Sequence, residues 1–213
     1  MKSTTLLLLL AASAISSGCA NTTRSRDLAN PNVTATTLAQ QVCSNCHGVT
    51  GIATSPNFPN LAGQTEAYVI AQLNGFKSHD RQDPAGFEYM WGLSRSLTDD
   101  QIKGLAAYFA AQQAARQPVE GTAAQMEAGK EIFVNGVSAK NVPACATCHG
   151  AEGQGNATFP RLAGQHADYL AKQLLVFQRT DERPAGSIMK TVAHELNRDD
   201  IENVAAYLQA MSN

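Results

Sequence analysis

Cys43-Ser44-Asn45-Cys46-His47-Gly48 and its second appearance, Cys145-Ala146-Thr147-Cys148-His149-Gly150, decide how the rest of this 213-residue chain is read. C-x-x-C-H is the attachment signature of c-type haem. The spacing has a chemical reason. Two thiols three residues apart on one turn of chain can each form a thioether to a haem vinyl group, and the adjacent imidazole then meets the iron from one face. A lone C-x-x-C is a weaker sign, because redox dithiols and zinc sites use it too. Two copies, each closed by His-Gly, imply two covalently bound haem c groups, held by Cys43, Cys46 and His47 and by Cys145, Cys148 and His149.

Working outward from the motifs, the chain repeats itself. Phe58-Pro59-Asn60-Leu61-Ala62-Gly63-Gln64 returns as Phe159-Pro160-Arg161-Leu162-Ala163-Gly164-Gln165, 101 residues on. Tyr68, Gln72 and Phe76 match Tyr169, Gln173 and Phe177 at the same offset, and Pro84-Ala85-Gly86 matches Pro184-Ala185-Gly186 at 100. Met90 matches Met189 at 99. The offset falls by single residues, so small loop deletions separate two copies of one architecture. Two homologous domains are expected, over residues 34–115 and 122–213, joined by a linker at 116–121. Each is small, and a buried haem would complete an otherwise marginal core.

The pattern is helical, with no strand signal. Thr98 reads as an N-cap with Gln101 as its capping-box partner, followed by the apolar stripe Ile102, Leu105, Ala106 and Phe109. Asn197 caps the second copy, whose stripe is Ile201, Val204, Ala205 and Leu208. Middle helices are predicted near 65–77 and 166–178, and leading helices near 34–44 and 122–134. Gly129 and Phe133 in the second leading helix suggest close approach of a facing helix. The first half lacks this pair. Residues Asn135–Ala144 form an inserted loop before the second motif.

The occupant of the sixth iron position separates carrier from enzyme: an open site permits O₂ or peroxide chemistry, whereas a bound Met suits outer-sphere electron transfer at raised potential. Of five methionines only Met90 and Met189 are duplicated, 43 and 40 residues beyond His47 and His149. They are the candidate axial ligands; plain core packing is the alternative role. His79, His166 and His194 have no counterparts and read as surface residues. Pro59 and Pro160 could offer carbonyls to the other ring nitrogen of each ligand histidine, or could simply make a turn.

At the N-terminus, Lys2 and the short apolar run from Leu6 to Leu10 read as an export signal too short to span a membrane. Gly18-Cys19-Ala20 resembles a lipoprotein cleavage box, so residues 1–19 are expected to be the signal segment, with Cys19 lipidated and 20–33 a flexible tether. Ordinary cleavage after Ala14 or Ala20 is the alternative, leaving a soluble periplasmic protein. A formal charge of −2 gives no reason to expect nucleic acid, and no nucleophile–base pair, phosphate loop or carboxylate dyad points to a small-molecule substrate.

Taken together, the paired C-x-x-C-H motifs, the F-P-x-L-A-G-Q loops and the later methionines resemble the cytochrome c4 family. That resemblance implies an all-α chain of two tandem class I cytochrome c-like domains, each wrapped around a covalent haem, with propionate edges facing across a pseudo-twofold interface. It also implies iron ligation by His47 with Met90 and by His149 with Met189. Single electrons would pass from a quinol-oxidising complex or a dehydrogenase towards a terminal oxidase, in the periplasm at the membrane. Trp91 beside Met90 and the missing Gly-aromatic pair depart from the family pattern. The rival readings are an electron-accepting dehydrogenase subunit, a dihaem enzyme such as a thiosulfate dehydrogenase or peroxidase, and a zinc module built on four thiolates.

Overall fold

The computed structural model describes residues 25–211, so Cys19 and the signal-like segment lie outside the described residues. Helix α1 runs as three consecutive pieces, Ala35–Leu38, a π-helical turn Ala39–Cys43, and Ser44–His47. It is followed by α2 (Glu66–Lys77), α3 (Pro84–Ser94) and α4 (Asp99–Ala110). The second half repeats the plan with α5 (Ala123–Asn135), α6 (Ala146–His149), α7 (Ala167–Arg179), α8 (Ser187–Ala193) and α9 (Arg198–Ala210). Only two isolated β-bridges occur among the described residues.

The closing helices begin as their sequences predict. Thr98 and Gln101 form a reciprocal capping box on α4, and Asn197 and Asp200 do the same on α9. Each box satisfies two N-terminal backbone groups that would otherwise lack partners. Ile102, Leu105, Ala106 and Phe109 are buried on α4, as are Ile201, Val204, Ala205 and Leu208 on α9. Complete burial of one large apolar side chain contributes about 1.5–3 kcal/mol. Helix α4 packs on α1 and α2, α9 packs on α5 and α7, and α3 and α8 lie against the middle helices α2 and α7.

Close helix crossings require small residues, and the two halves place them differently. In the second half a Cβ on Gly129 of α5 would lie 2.1 Å from the Asn203 carbonyl oxygen of α9. In the first half the glycine is on the closing helix: a Cβ on Gly104 would come within 2.6 Å of the Ala35 Cβ. The first half therefore keeps the close crossing without the Gly-aromatic pair.

Two expectations need correction. The flexible tether expected over 20–33 does not extend through its last residues. Val33 is buried, Leu28 packs on the first core, and the Gln101 side chain donates to the carbonyls of Asn30 and Val33 at 3.0 and 2.9 Å. Apolar contacts and a glutamine on the closing helix hold residues that composition alone marks as loose. His166 is no surface residue: it is buried at the start of α7, with Nε2 donating to the Ala53 carbonyl at 3.0 Å. His79 and His194 are exposed.

Candidate functional site

Both motif histidines end a helical turn and are buried. The His47 Nδ1 lies 2.9 Å from the Pro59 carbonyl oxygen, and the His149 Nδ1 lies 2.9 Å from that of Pro160. A carbonyl can only accept, so Nδ1 carries the proton and Nε2 keeps its lone pair free for a metal. Burial lowers both imidazole pKa values, partly opposed by the carbonyl hydrogen bond, and so favours the neutral, ligating form.

The proline carbonyl is aimed by a duplicated turn. The Gly51 carbonyl accepts the N–H groups of Leu61 and Ala62 at 2.7 and 3.1 Å, and the Gly153 carbonyl accepts those of Leu162 and Ala163 at 2.7 and 3.0 Å. Gly51 has φ 77°, and a Cβ there would stand 2.8 Å from the Ala62 nitrogen. The far end of each loop is tied to the closing helix: the Gly63 N–H donates to the Phe109 carbonyl and the Gly164 N–H to the Leu208 carbonyl. Phe58 and Phe159 set their rings edge-on to His47 and His149, with centroids 6.3 and 6.1 Å away.

Cys43, Cys46, His47 and Met90 line one cavity, whose walls are otherwise mainly apolar, with Leu61, Val69 and Phe76 among them. Met90 reaches it on α3. Pro84 occupies the first turn of that helix, and Gly86 lets it approach α2, since a Cβ there would lie 2.9 Å from the Phe76 ring. Gly186 stands likewise at 2.6 Å from Phe177. The duplicated Pro-Ala-Gly thus sets the methionine-bearing segment against the middle helix. Met189 is half-buried on α8, which is shorter than α3 and follows a 3₁₀ turn over Pro184–Gly186. Its pairing with His149 rests on the repeat rather than on a shared cavity wall.

These residues suit a haem. An apolar pocket, two thiols at one edge and an imidazole with a free nitrogen are what covalent attachment and iron binding need. Before a haem is attached, burial raises the pKa values of Cys43 and Cys145 to about 11, so both are protonated thiols at neutral pH. Among the described residues no cluster of three or more His, Cys, Asp or Glu side chains could hold a metal, so the four thiols do not converge as a zinc site would require.

The repeated Gln64 and Gln165 have a role that the sequence did not disclose. The Gln64 amide accepts the Arg161 N–H and donates to the Arg161 carbonyl, at 2.7 and 3.1 Å. The Gln165 amide does the same for Asn60, at 2.8 and 2.9 Å. Asn60 and Arg161 are themselves counterparts, so the contact is reciprocal. Tyr68, Gln72 and Gln173 likewise face across the halves. Arg81 donates to Gln72 at 2.6 Å and pairs with Asp83 at 2.6 Å, while Arg183 donates to Gln173, to Gln72 at 3.1 Å and to the Tyr68 hydroxyl at 3.2 Å. Each arginine also stacks over the phenylalanine of its own half, Arg81 on Phe76 and Arg183 on Phe177. The signal was present in the duplicated Tyr, Gln and Phe positions. Nothing in the sequence said that they meet the other copy.

Against known proteins, the Cytochrome c family model matches residues 33–113 and again 126–212. Cytochrome c4 of Azotobacter vinelandii is 38% identical over 181 residues, covering 80% of this chain and 84% of that protein. The thiosulfate dehydrogenase electron acceptor of Stutzerimonas stutzeri is 32% identical over 173 residues, 79% of this chain and 78% of that one. The crystal structure of reduced recombinant cytochrome c4 from Pseudomonas stutzeri superposes with a TM-score of 0.76 at 34% identity, covering 86% of this chain and 99% of that one. Two family matches, the paired motifs and this likeness lead to one assignment: the chain belongs to the cytochrome c family, as an all-α, dihaem electron carrier of the cytochrome c4 type with two covalently bound haem c groups.

Proposed function

We propose that this protein relays single electrons in a periplasmic respiratory chain, from a quinol-oxidising complex or dehydrogenase towards a terminal oxidase. In this reading Cys43, Cys46, His47 and Met90 hold one haem, and Cys145, Cys148, His149 and Met189 hold the other. The observation that supports it best is the mainly apolar cavity shared by Cys43, Cys46, His47 and Met90. Bound haem supplies a one-electron iron couple. The protein residues set its terms. Thioether sulfur from Met90 and Met189 favours the reduced metal and raises the potential. The Pro59 and Pro160 carbonyls fix the ring planes and increase the basicity of the ligating nitrogen. The apolar walls limit access of water to the iron.

A second reading is favoured by the relative named as an electron acceptor of thiosulfate dehydrogenase. Here the same two-haem chain would serve one dehydrogenase rather than a respiratory complex, and co-purification with such an enzyme would select it. No helix among the described residues is long and apolar enough to cross a membrane. Membrane attachment is assigned to lipid on Cys19, where a fatty acyl group would tie the carrier to the surface at which its partners sit.

Optical and spin-state measurements on the two-haem protein test the ligation. Both irons should be low-spin, with the near-infrared sulfur-to-iron charge-transfer band, and neither should bind carbon monoxide. Met90→His should lower one potential and leave the other in place. A high-spin iron, or stoichiometric carbon monoxide binding, would sink the carrier assignment at that site. Fractionation of the same preparations tests the anchor, since Cys19→Ala should move the protein from membrane to soluble periplasm with its spectrum intact. Wild-type protein already in the soluble fraction removes the anchor.

A further inference from the structure

We propose that Lys172, in the second repeat, is an electrostatic partner of the first haem, and that its counterpart in the first repeat, Ala71, returns no charge. The cavity lined by Cys43, Cys46, His47 and Met90 is not closed by its own repeat. Tyr169, Lys172 and Gln173 of α7 also line it, reaching across the interface.

Apart from the imidazole, the charged side chains on that lining are Arg81, Asp83 and Lys172. Arg81 and Asp83 cancel one another, with Nε to Oδ1 at 2.6 Å and Nη2 to Oδ2 at 3.3 Å. Lys172 has no ion pair or hydrogen bond among the described residues, so it contributes the uncompensated charge of the lining. A positive charge beside a haem attracts its carboxylates. It also opposes oxidation, because the oxidised iron carries one more positive charge than the reduced iron. Lys172 is exposed, so water and salt weaken this interaction without abolishing it.

The repeat makes the contact one-way. At the offset of 101, Tyr169 and Gln173 correspond to Tyr68 and Gln72, but Lys172 corresponds to Ala71. Within an otherwise matched trio the second half offers a cation to the first haem, and the first half offers a methyl group in return. Lys172 thereby raises the potential of the first haem, while the matching position in the first repeat, Ala71, brings no charge to the second.

The inference rests on the reading that this cavity holds the first haem, and the test separates the two. Both potentials of the two-haem protein are measured by spectroelectrochemical titration, at low and at high salt, in wild type, Lys172→Gln, Lys172→Arg, Ala71→Lys and Met90→His. Met90→His marks which potential belongs to the first haem. Lys172→Gln should lower that potential alone, by an amount that shrinks as salt rises, and Lys172→Arg should keep it. Ala71→Lys should raise the other potential by supplying the missing contact. If Lys172→Gln moves neither potential, or moves both equally, in a protein with two intact haems, the assignment of Lys172 is overturned. If instead Met90→His moves neither potential, the ligand reading itself has failed.

Discussion

His47 and His149 show how much a residue can disclose by itself. Their place in C-x-x-C-H identifies them, and the proline 12 or 11 residues on turns out to supply the carbonyl that fixes each ring. Asp83 shows the opposite. Nothing around it in sequence marks it, yet it is 1% exposed and sits in the first cavity's wall beside Arg81. Its importance depends on a tertiary environment assembled from both halves, which local pattern cannot contain. Burial alone would raise its pKa, but hydrogen bonding and charge from Arg81, with Arg183 beyond, hold it below the ordinary carboxylate value. A carboxyl depressed in the folded state stabilises the fold above its unfolded pKa of about 3.9 and loses that contribution as pH falls through the folded value. Asp83→Asn should therefore cost about 3–5 kcal/mol at neutral pH by leaving a buried guanidinium without its carboxylate. Denaturant melts at falling pH check this: the gap between variant and wild type should narrow below about pH 4, where the wild type loses the same contribution. A gap independent of pH would show that the pair is not the source.

At the scale of elements, the closing helices were legible from their caps and stripes, the middle and leading helices were placed to within a few residues, and the helix that carries Met90 was not. Helices α4 and α9 start at the predicted N-caps and bury the predicted faces, and α2 and α7 fall within a residue or two of expectation. Helix α3, which carries Met90, has no such stripe in its sequence. It is placed by Pro84 at its start and by Gly86 against Phe76. The π-helical turn over Ala39–Cys43 was equally hidden, because one extra residue in a turn leaves no compositional trace. Crossing geometry was half-legible: Gly129 announces a close approach, whereas Gly104 passes as an ordinary helix interior. Gly129→Ala tests the crossing. The new Cβ would meet the Asn203 carbonyl oxygen at 2.1 Å and the Tyr207 Cβ at 2.7 Å, so α5 and α9 must separate. Alanine's better helix propensity, worth up to about 1 kcal/mol, should not offset an overpacking cost of about 1–3 kcal/mol. Differential scanning calorimetry should show a lower Tm, with hydrogen exchange quickening in α5 and α9 but not in α1 and α4. An unchanged or raised Tm would show that the crossing has slack.

At the scale of the molecule, duplication was plain in the sequence, but the relation of the two copies to each other was not. A repeated residue looks the same whether it serves its own copy or the other. Gln64 and Gln165 belong to the loop whose proline carbonyl accepts from a motif histidine, yet their amides are spent on the facing loop, each closing two hydrogen bonds to Arg161 or Asn60. The exchange is self-complementary, as an isologous contact between identical subunits would be. It lies directly beyond Pro59 and Pro160, so whatever fixes the interface also fixes the backbone that holds both motif histidines. Gln64→Ala with Gln165→Ala would leave four backbone groups of Asn60 and Arg161 without these partners, at about 1–3 kcal/mol for each group that stays buried and unsatisfied. The Arg81–Gln173, Arg183–Gln72, Arg183–Tyr68 and Gln82–Glu182 contacts remain, so the halves should loosen rather than part. Both haems should keep their spectra, since every proposed ligand comes from a single half. What should change is the coupling. Amide exchange should quicken at Asn60 and Arg161, small-angle scattering should broaden, and the first haem's potential should fall as in Lys172→Gln, because Lys172 would no longer be held at its cavity. If the double variant loosens by scattering while both potentials stay fixed, the halves tune their irons independently and the interface serves only to hold them together.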